Sequence, residues 1–261
     1  MSRISISDVN SYKTVCRNAS INENDFTSFR RNESYMAILE HVNEKEGGQY
    51  LKYIEKHFVD FNKYLELFKQ NDVYGSPIMF QYPNIGFISP TTLRYCKVLC
   101  DLKILFGNLN DFRIVEIGCG YGGQCKIIKE YFKIKEYTLI DLPDTNMLIN
   151  KYLSKNSVEN FNITTLDDYI GQNNSEKEFD LVISNYAISE IREDIQMKYF
   201  EHIIKKSKRG YLTLNFIGHI FGINTLSKEK TFNLLREKFD VFEMKEEPLT
   251  ESNNTIVYWK K

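Results

Sequence analysis

The stretch Phe112-Arg113-Ile114-Val115-Glu116-Ile117-Gly118-Cys119-Gly120-Tyr121-Gly122-Gly123-Gln124-Cys125-Lys126-Ile127-Ile128-Lys129-Glu130-Tyr131-Phe132 decides the fold of this 261-residue chain. The apolar run ending at Ile117 reads as a buried strand, the glycines as a tight turn, and the residues after Gly123 as a helix. A strand that feeds a helix through such a turn is the opening unit of an α/β sheet with parallel strands. Glycines let a ligand approach the backbone closely, and the free N–H groups at the start of the helix favour an anionic group. The turn is therefore a candidate nucleoside-cofactor site.

The spacing alone is ambiguous, because Gly118, Gly120 and Gly123 also satisfy the G-x-G-x-x-G pattern of a dinucleotide site. Glu116 stands two positions ahead of the first glycine, where a negative charge opposes a pyrophosphate but suits an ammonium group. S-adenosylmethionine carries an ammonium, and E-x-G-x-G-x-G resembles motif I of the class I methyltransferases. On that resemblance Glu116, Gly118, Cys119, Gly120, Tyr121 and Gly122 hold the cofactor. A nicotinamide oxidoreductase and a purely structural glycine turn stay open as alternatives.

The texture of the chain changes near residue 110. Residues 1 to 110 read as a helical N-terminal region, with apolar residues at helical spacing in Tyr35, Ile38, Leu39 and Val42 and again from Tyr50 through Phe68. A turn-rich segment from Asn71 to Gly86 interrupts them. Ser89-Pro90 then opens a helix to about Phe106, with serine as N-cap and proline in the first turn. Residues 111 to 261 alternate strand and helix, with strands expected at 112–117, 136–141, 160–165, 179–184 and 210–216. Val241 to Met244 and Thr255 to Trp259 read as a closing antiparallel hairpin. The expected fold class is α/β: a Rossmann-like class I methyltransferase fold with a mostly parallel seven-stranded sheet, this hairpin, and the N-terminal helices as lid, acceptor pocket or dimer face.

Open α/β sheets bind ligands beyond the carboxyl ends of their strands, so the residues just after each strand carry the candidate chemistry. Asp141, about twenty residues beyond the glycines, is placed to accept from ribose hydroxyls, with Leu142 beside it; a helix N-cap before Pro143 is the plainer reading. Leu166 and Asp167 are candidates for the adenine, against a solvated capping pair with Asp168. Asn185 and Tyr186 follow the fourth strand, beside the methionine end of the cofactor, and Glu190 either faces the site or starts the next helix. His219, on the loop after the fifth strand, is the first candidate for the base that deprotonates an acceptor hydroxyl, with Glu190 and Tyr186 as rivals. Arg94 is suited to a bidentate pair with a phosphate or with the cofactor carboxylate, or to an ordinary ion pair.

A formal net charge of −1 gives no broad footprint for nucleic acid. Five cysteines without a C-x-x-C pair point to a reduced, cytoplasmic chain. Neither a leader with an apolar core nor a membrane-length apolar run is read, and no His, Cys or Asp cluster suggests a metal.

Several segments together resemble the family of sugar O-methyltransferases of bacterial surface-polysaccharide gene clusters. They are Asn71-Asp72 with Gly75-Ser76-Pro77, residues 88–95, 115–124, 137–143 and 184–190, and Glu246 through Thr250 with Asn254 and Trp259. Cys119 stands where that family more often has glycine. The resemblance implies S-adenosylmethionine-dependent methyl transfer to an oxygen of a capsule or lipopolysaccharide sugar, free or linked to phosphate or nucleotide. An oxygen bound to phosphorus, as in an O-methyl phosphoramidate, is the alternative acceptor. It implies a substrate side formed by Ser89, Thr92, Arg94 and Tyr95, a small-molecule or glycan-precursor acceptor, and leaves a homodimer open. A catalytically silent scaffold of the same fold is the third reading.

Overall fold

The computed structural model describes residues 3–172 and 178–260; Met1 and Ser2, part of the stretch read for a leader, lie outside the described residues. Helices α1 (Asn10–Ile21), α2 (Glu23–Ser28), α3 (Glu33–Met36), α4 (Glu44–His57) and α5 (Phe61–Lys69) come first. A small antiparallel hairpin, β1 (Phe80–Tyr82) and β2 (Gly86–Ile88), precedes the long helix α6 (Pro90–Phe106). Ser89 caps α6 by accepting from Thr92 N, as its sequence predicts.

The α/β part follows as β3 (Arg113–Ile117), α7 (Gly123–Tyr131), β4 (Glu136–Ile140), α8 (Pro143–Lys155), β5 (Phe161–Thr164), α9 (Leu166–Gly171), β6 (Leu181–Asn185), α10 (Glu193–His202), β7 (Arg209–Leu214), α11 (Lys228–Arg236), β8 (Val241–Lys245) and β9 (Thr255–Lys260). The strands form one sheet in the order β5-β4-β3-β6-β7-β9-β8. Every pair from β5 to β7 is parallel, and β9 runs antiparallel to both β7 and β8. The chain leaves β3 towards β4 and β5, then returns to β6 on its other side. That reversal opens a crevice at the carboxyl ends of β3 and β6.

Alternation along the strands builds two cores. Ile114, Leu139, Leu181, Ile183 and Tyr211 pack with the N-terminal helices, α6, α7 and α8 on one face. Val115, Ile140, Val182, Leu212 and Trp259 pack with α10 and α11 on the other. Glu116 shares its face with Ile114, so its carboxylate points towards the N-terminal helices. α4 lies along α6 and α1 along α8, which brings those helices over the crevice. Helix α6 is buried on nearly every side through its first thirteen residues, so its sequence shows little amphipathic period.

Candidate active site

The glycine turn is held from below by Asp141. One Asp141 carboxylate oxygen accepts from Cys119 N at 2.6 Å and Gly120 N at 3.2 Å, and the other from Leu142 N at 2.7 Å. Helix α8 is capped at Leu142 without a side-chain bond, so Asp141 is not its N-cap. Burial pushes the Asp141 carboxyl up to about 6 against the pull of those N–H donors. Gly118 has φ +73, and a Cβ there would stand 2.1 Å from Cβ of Ala187 on the turn after β6. Only a glycine keeps the ends of β3 and β6 this close.

Two adjoining cavities open at this point. The larger, about 380 Å³, reaches from Glu116, Gly118 and Asn185 to Arg94, Tyr186 and Glu246. The smaller, about 210 Å³, is lined by Leu142, Leu166, Asp167 and Tyr199. Ser7, Gly118, Asp141, Ala187 and Glu190 border both, which makes one continuous crevice across the ends of the strands.

Of the residues predicted to hold a cofactor, Glu116, Gly118, Cys119, Gly120, Asp141, Leu142, Leu166, Asp167 and Asn185 line the crevice. Glu116 is buried and accepts from Tyr137 Oη at 2.7 Å. Burial raises its carboxyl to about 8, with Tyr137 pulling down and Asp141 pushing up. Asn185 Oδ1 is buried with no partner among the described residues. The pair Asp167-Asp168 divides, since Asp168 bonds the capping Thr165 while Asp167 borders the smaller cavity. Tyr121 and Gly122 do not line the crevice. The Tyr121 ring is turned into the core, where its hydroxyl accepts from Asn71 Nδ2 at 2.9 Å.

Among the catalytic candidates, Glu190 stands at the junction of the cavities. It accepts from Asn215 Nδ2 at 2.5 Å, and burial raises its carboxyl against the opposing pull of Asn215 and Arg94. Tyr186 takes a positive φ of 67, one of the strained positions that cluster at functional turns. Its hydroxyl donates to Glu246, and burial lifts its pKa well above the ordinary tyrosine value, so it keeps its proton. His219, the first candidate for the base, stands apart from the crevice. It lines neither cavity, and its exposed ring turns back to Phe216 O, 3.1 Å from Nδ1.

On the substrate side, Arg94 and Tyr95 line the larger cavity, whereas Ser89 and Thr92 do not. Both hydroxyls are sealed in the core and bonded to Asp72 Oδ1 at 2.7 Å. The turn-rich segment from Asn71 to Gly86 contributes nothing to the lining of either cavity. The wall comes instead from residues given no site role in the sequence, notably Ser7, His41, Tyr50 and Asn254. His41 opens into the larger cavity; its protein surroundings and the charge of Arg94 lower its pKa to about 4, which leaves it neutral. Asn254 and Glu246 had a signal, since both fall in the closing segment that carries the family resemblance. His41 and Ser7 had none.

The family profile described as "Methyltransferase domain" matches residues 115–210, from β3 into β7. No curated protein matches the chain. The PH0226 protein from Pyrococcus horikoshii OT3 is 14% identical over 61% of this chain and 85% of its own, with a TM-score of 0.47. An S-adenosylmethionine-dependent methyltransferase from Mesorhizobium loti is 13% identical over 62% of this chain and 96% of its own, with a TM-score of 0.46. An rRNA methylase from Streptococcus thermophilus is 14% identical over 59% and 89%, with a TM-score of 0.43. The strand order and the closing hairpin are those of a Rossmann-like methyltransferase fold, and the profile match falls on its parallel strands. Among the described residues no helix is long and apolar enough to cross a membrane.

Proposed function

We propose that the protein is an S-adenosylmethionine-dependent O-methyltransferase acting on a sugar, or a phosphate- or nucleotide-linked sugar, of surface-polysaccharide assembly. The observation that carries the reading is the order of side chains along one crevice: Glu116, Asp141, then Leu166 with Asp167, each at the end of a successive strand. The donor set fits the cofactor. Glu116 and the unpartnered Asn185 Oδ1 accept from an ammonium, and Asp141 retains acceptor capacity for ribose hydroxyls beyond its three backbone bonds. Leu166 offers an apolar wall for a purine and Asp167 an acceptor for its amino group. A nicotinamide pyrophosphate fits less well, because the Asp141 carboxylate already occupies the Cys119 and Gly120 N–H groups of the glycine turn that would donate to it.

When bound, S-adenosylmethionine supplies an electrophilic methyl group on a sulfonium. Glu190 is the group that takes the proton from the acceptor hydroxyl, with Asn215 fixing its orientation. Tyr186 and Glu246, locked together, shape the wall opposite without exchanging protons. Ala37, Ile38, Leu39, His41 and Val42, with Ser7, wall the crevice on the side of the N-terminal region. An acceptor oxygen bound to phosphorus is the second reading, favoured by Arg94, which carries its charge into the larger cavity. Titration calorimetry with S-adenosylhomocysteine tests the proposal. Micromolar binding that is lost in Glu116→Ala and Asp141→Ala supports it; no heat at millimolar ligand, with NADH bound instead, would overturn it.

A further inference from the structure

Arg94 is a partly buried cation with one bond to protein. Its Nη2 donates to Leu39 O at 3.0 Å, and among the described residues it makes no ion pair. Acids are not scarce nearby, but four of them are engaged by other donors. Glu40 accepts from Arg30 at 2.7 and 3.3 Å and from Thr91 Oγ1 at 2.9 Å. Glu190 holds Asn215, Glu116 holds Tyr137, and Glu246 takes Thr250 Oγ1 at 2.7 Å and Asn254 Nδ2 at 2.9 Å besides Tyr186. A guanidinium has five N–H donors in a rigid fork, so most of those of Arg94 lack a protein partner among the described residues; Glu251, which also lines the cavity, is exposed and makes no ion pair with it.

The same cavity holds the opposite deficit. Asn254 Oδ1 is buried without a partner while its amide nitrogen is fixed by Glu246 and Thr250, so the carbonyl cannot swap ends without losing both bonds. A ligand that satisfies both walls presents oxyanions to Arg94 and a hydroxyl to Asn254. Phosphate suits the fork, since several terminal oxygens can each take an N–H.

The cofactor has a carboxylate of its own, joined to its ammonium through a single carbon. The charge of Arg94 acts on Tyr50, Tyr186, His41 and Glu190. Glu116, the ammonium's partner in the proposed reading, responds instead to burial, Tyr137 and Asp141. Arg94 lines the larger cavity together with Tyr186 and Asn254 and does not border the smaller one.

We infer that Arg94 is an oxyanion-binding residue and that the anion is a phosphate carried by the hydroxyl-bearing methyl acceptor, not the carboxylate of the cofactor. The inference rests on the methyltransferase reading for the word acceptor, but the oxyanion site can be measured without it.

The experiment titrates inorganic phosphate into the free protein and into its S-adenosylhomocysteine complex, by calorimetry and phosphorus NMR line width, for wild type, Arg94→Gln and Arg94→Lys. Millimolar phosphate binding is expected in wild type, weakened about tenfold or more in Arg94→Gln and by less in Arg94→Lys, with S-adenosylhomocysteine affinity held within about twofold. Melting curves establish that each variant is folded, and Arg94→Lys serves alone if Arg94→Gln is not. Absence of phosphate binding to wild type, or equal binding to Arg94→Gln, overturns the oxyanion site. A tenfold or larger loss of S-adenosylhomocysteine affinity, with affinity for 5′-methylthioadenosine unchanged, overturns the assignment to the acceptor and gives the anion to the cofactor. Phosphate binding through Arg94 in a protein that binds no S-adenosylhomocysteine upholds the site and sinks the methyltransferase reading instead.

Discussion

Leu39 covers Gly120 so closely that a Cβ on the glycine would lie 2.9 Å from both Leu39 methyl carbons. The segment carrying Leu39 is pinned beside that contact, by Arg94 on its carbonyl and by Arg30 on the neighbouring Glu40. The glycine turn and the N-terminal region are thereby one fitted surface, and the fit is testable.

Gly120→Ala is expected to cost about 1–3 kcal/mol, because φ is +57 in the left-handed region and the new methyl meets Leu39. Adding Leu39→Ala relieves the clash and leaves the backbone strain. Urea denaturation should therefore show the double mutant less destabilised than the sum of the two single changes. Strict additivity would mean that Leu39 does not rest on the turn.

How far the sequence carried the reading depends on where each residue finds its partners. The strand, glycine turn and helix from Arg113 to Tyr131 were legible because their signals are local: buried alternation, left-handed turn positions and a helical period. The closing hairpin was legible for the same reason. Tyr35, Ile38, Leu39 and Val42 also have a helical period, but the helix stops at Met36 and the following residues leave to roof the crevice. A period records which residues are buried and not against what, so nothing in it marks His41 as opening into the cavity. For Ser89 and Thr92 the resemblance implies the substrate side, whereas in the fold their hydroxyls bond Asp72, a residue seventeen or more positions away in the chain, a partner no local pattern announces. His219 lies on the expected rim, and its side chain turns away.

Arg30 shows what that buried polar cluster does. It is sealed from solvent between Glu40, at 2.7 Å, and Asp72, at 3.0 Å, and it also donates to Ser89 Oγ at 3.1 Å. Removing one member of such a cluster strands the remaining charges, which costs about 3–5 kcal/mol. Arg30→Met should lower the denaturation midpoint accordingly, and Arg30→Met combined with Glu40→Gln and Asp72→Asn should recover part of the loss. If the triple change is no better than the single one, packing rather than stranded charge accounts for the cost.

Glu116 sets a pH dependence. Its carboxyl lies at about 8 in the fold against an ordinary 4.5, because burial favours the neutral form. For an acid shifted upward, the folded state holds the extra proton, so stability is fully present below about pH 4.5 and is lost as pH rises through about 8. Glu116→Gln removes this term, and wild type should lose stability relative to the variant across that window. The same shift makes ligand binding release a proton. An ammonium pairs with the carboxylate, not the acid, so calorimetry near pH 7 in buffers of different ionisation enthalpy should detect release on binding S-adenosylhomocysteine. Release that persists in Glu116→Gln would assign it to another group, with Asp141, raised to about 6, the next to test.

Glu190 and His219 make contrasting claims on the base. Glu190 borders both cavities and Asn215 aims its carboxylate, whereas His219 is exposed on a short turn and bonded within it. On the first acceptor shown to be methylated, Glu190→Gln should lower kcat by about 10²- to 10⁴-fold, with S-adenosylhomocysteine affinity changed only a few-fold. Arg94 complicates a simple loss of charge, since it already draws the Glu190 carboxyl towards its ionised form. The acid limb of the kcat profile should accordingly move to higher pH in Arg94→Gln, where that pull is gone. His219→Ala should leave both kcat and the profile unchanged. A profile insensitive to Arg94 together with a large loss in His219→Ala would return the proton to the histidine and require the loop after β7 to swing inward when the acceptor binds.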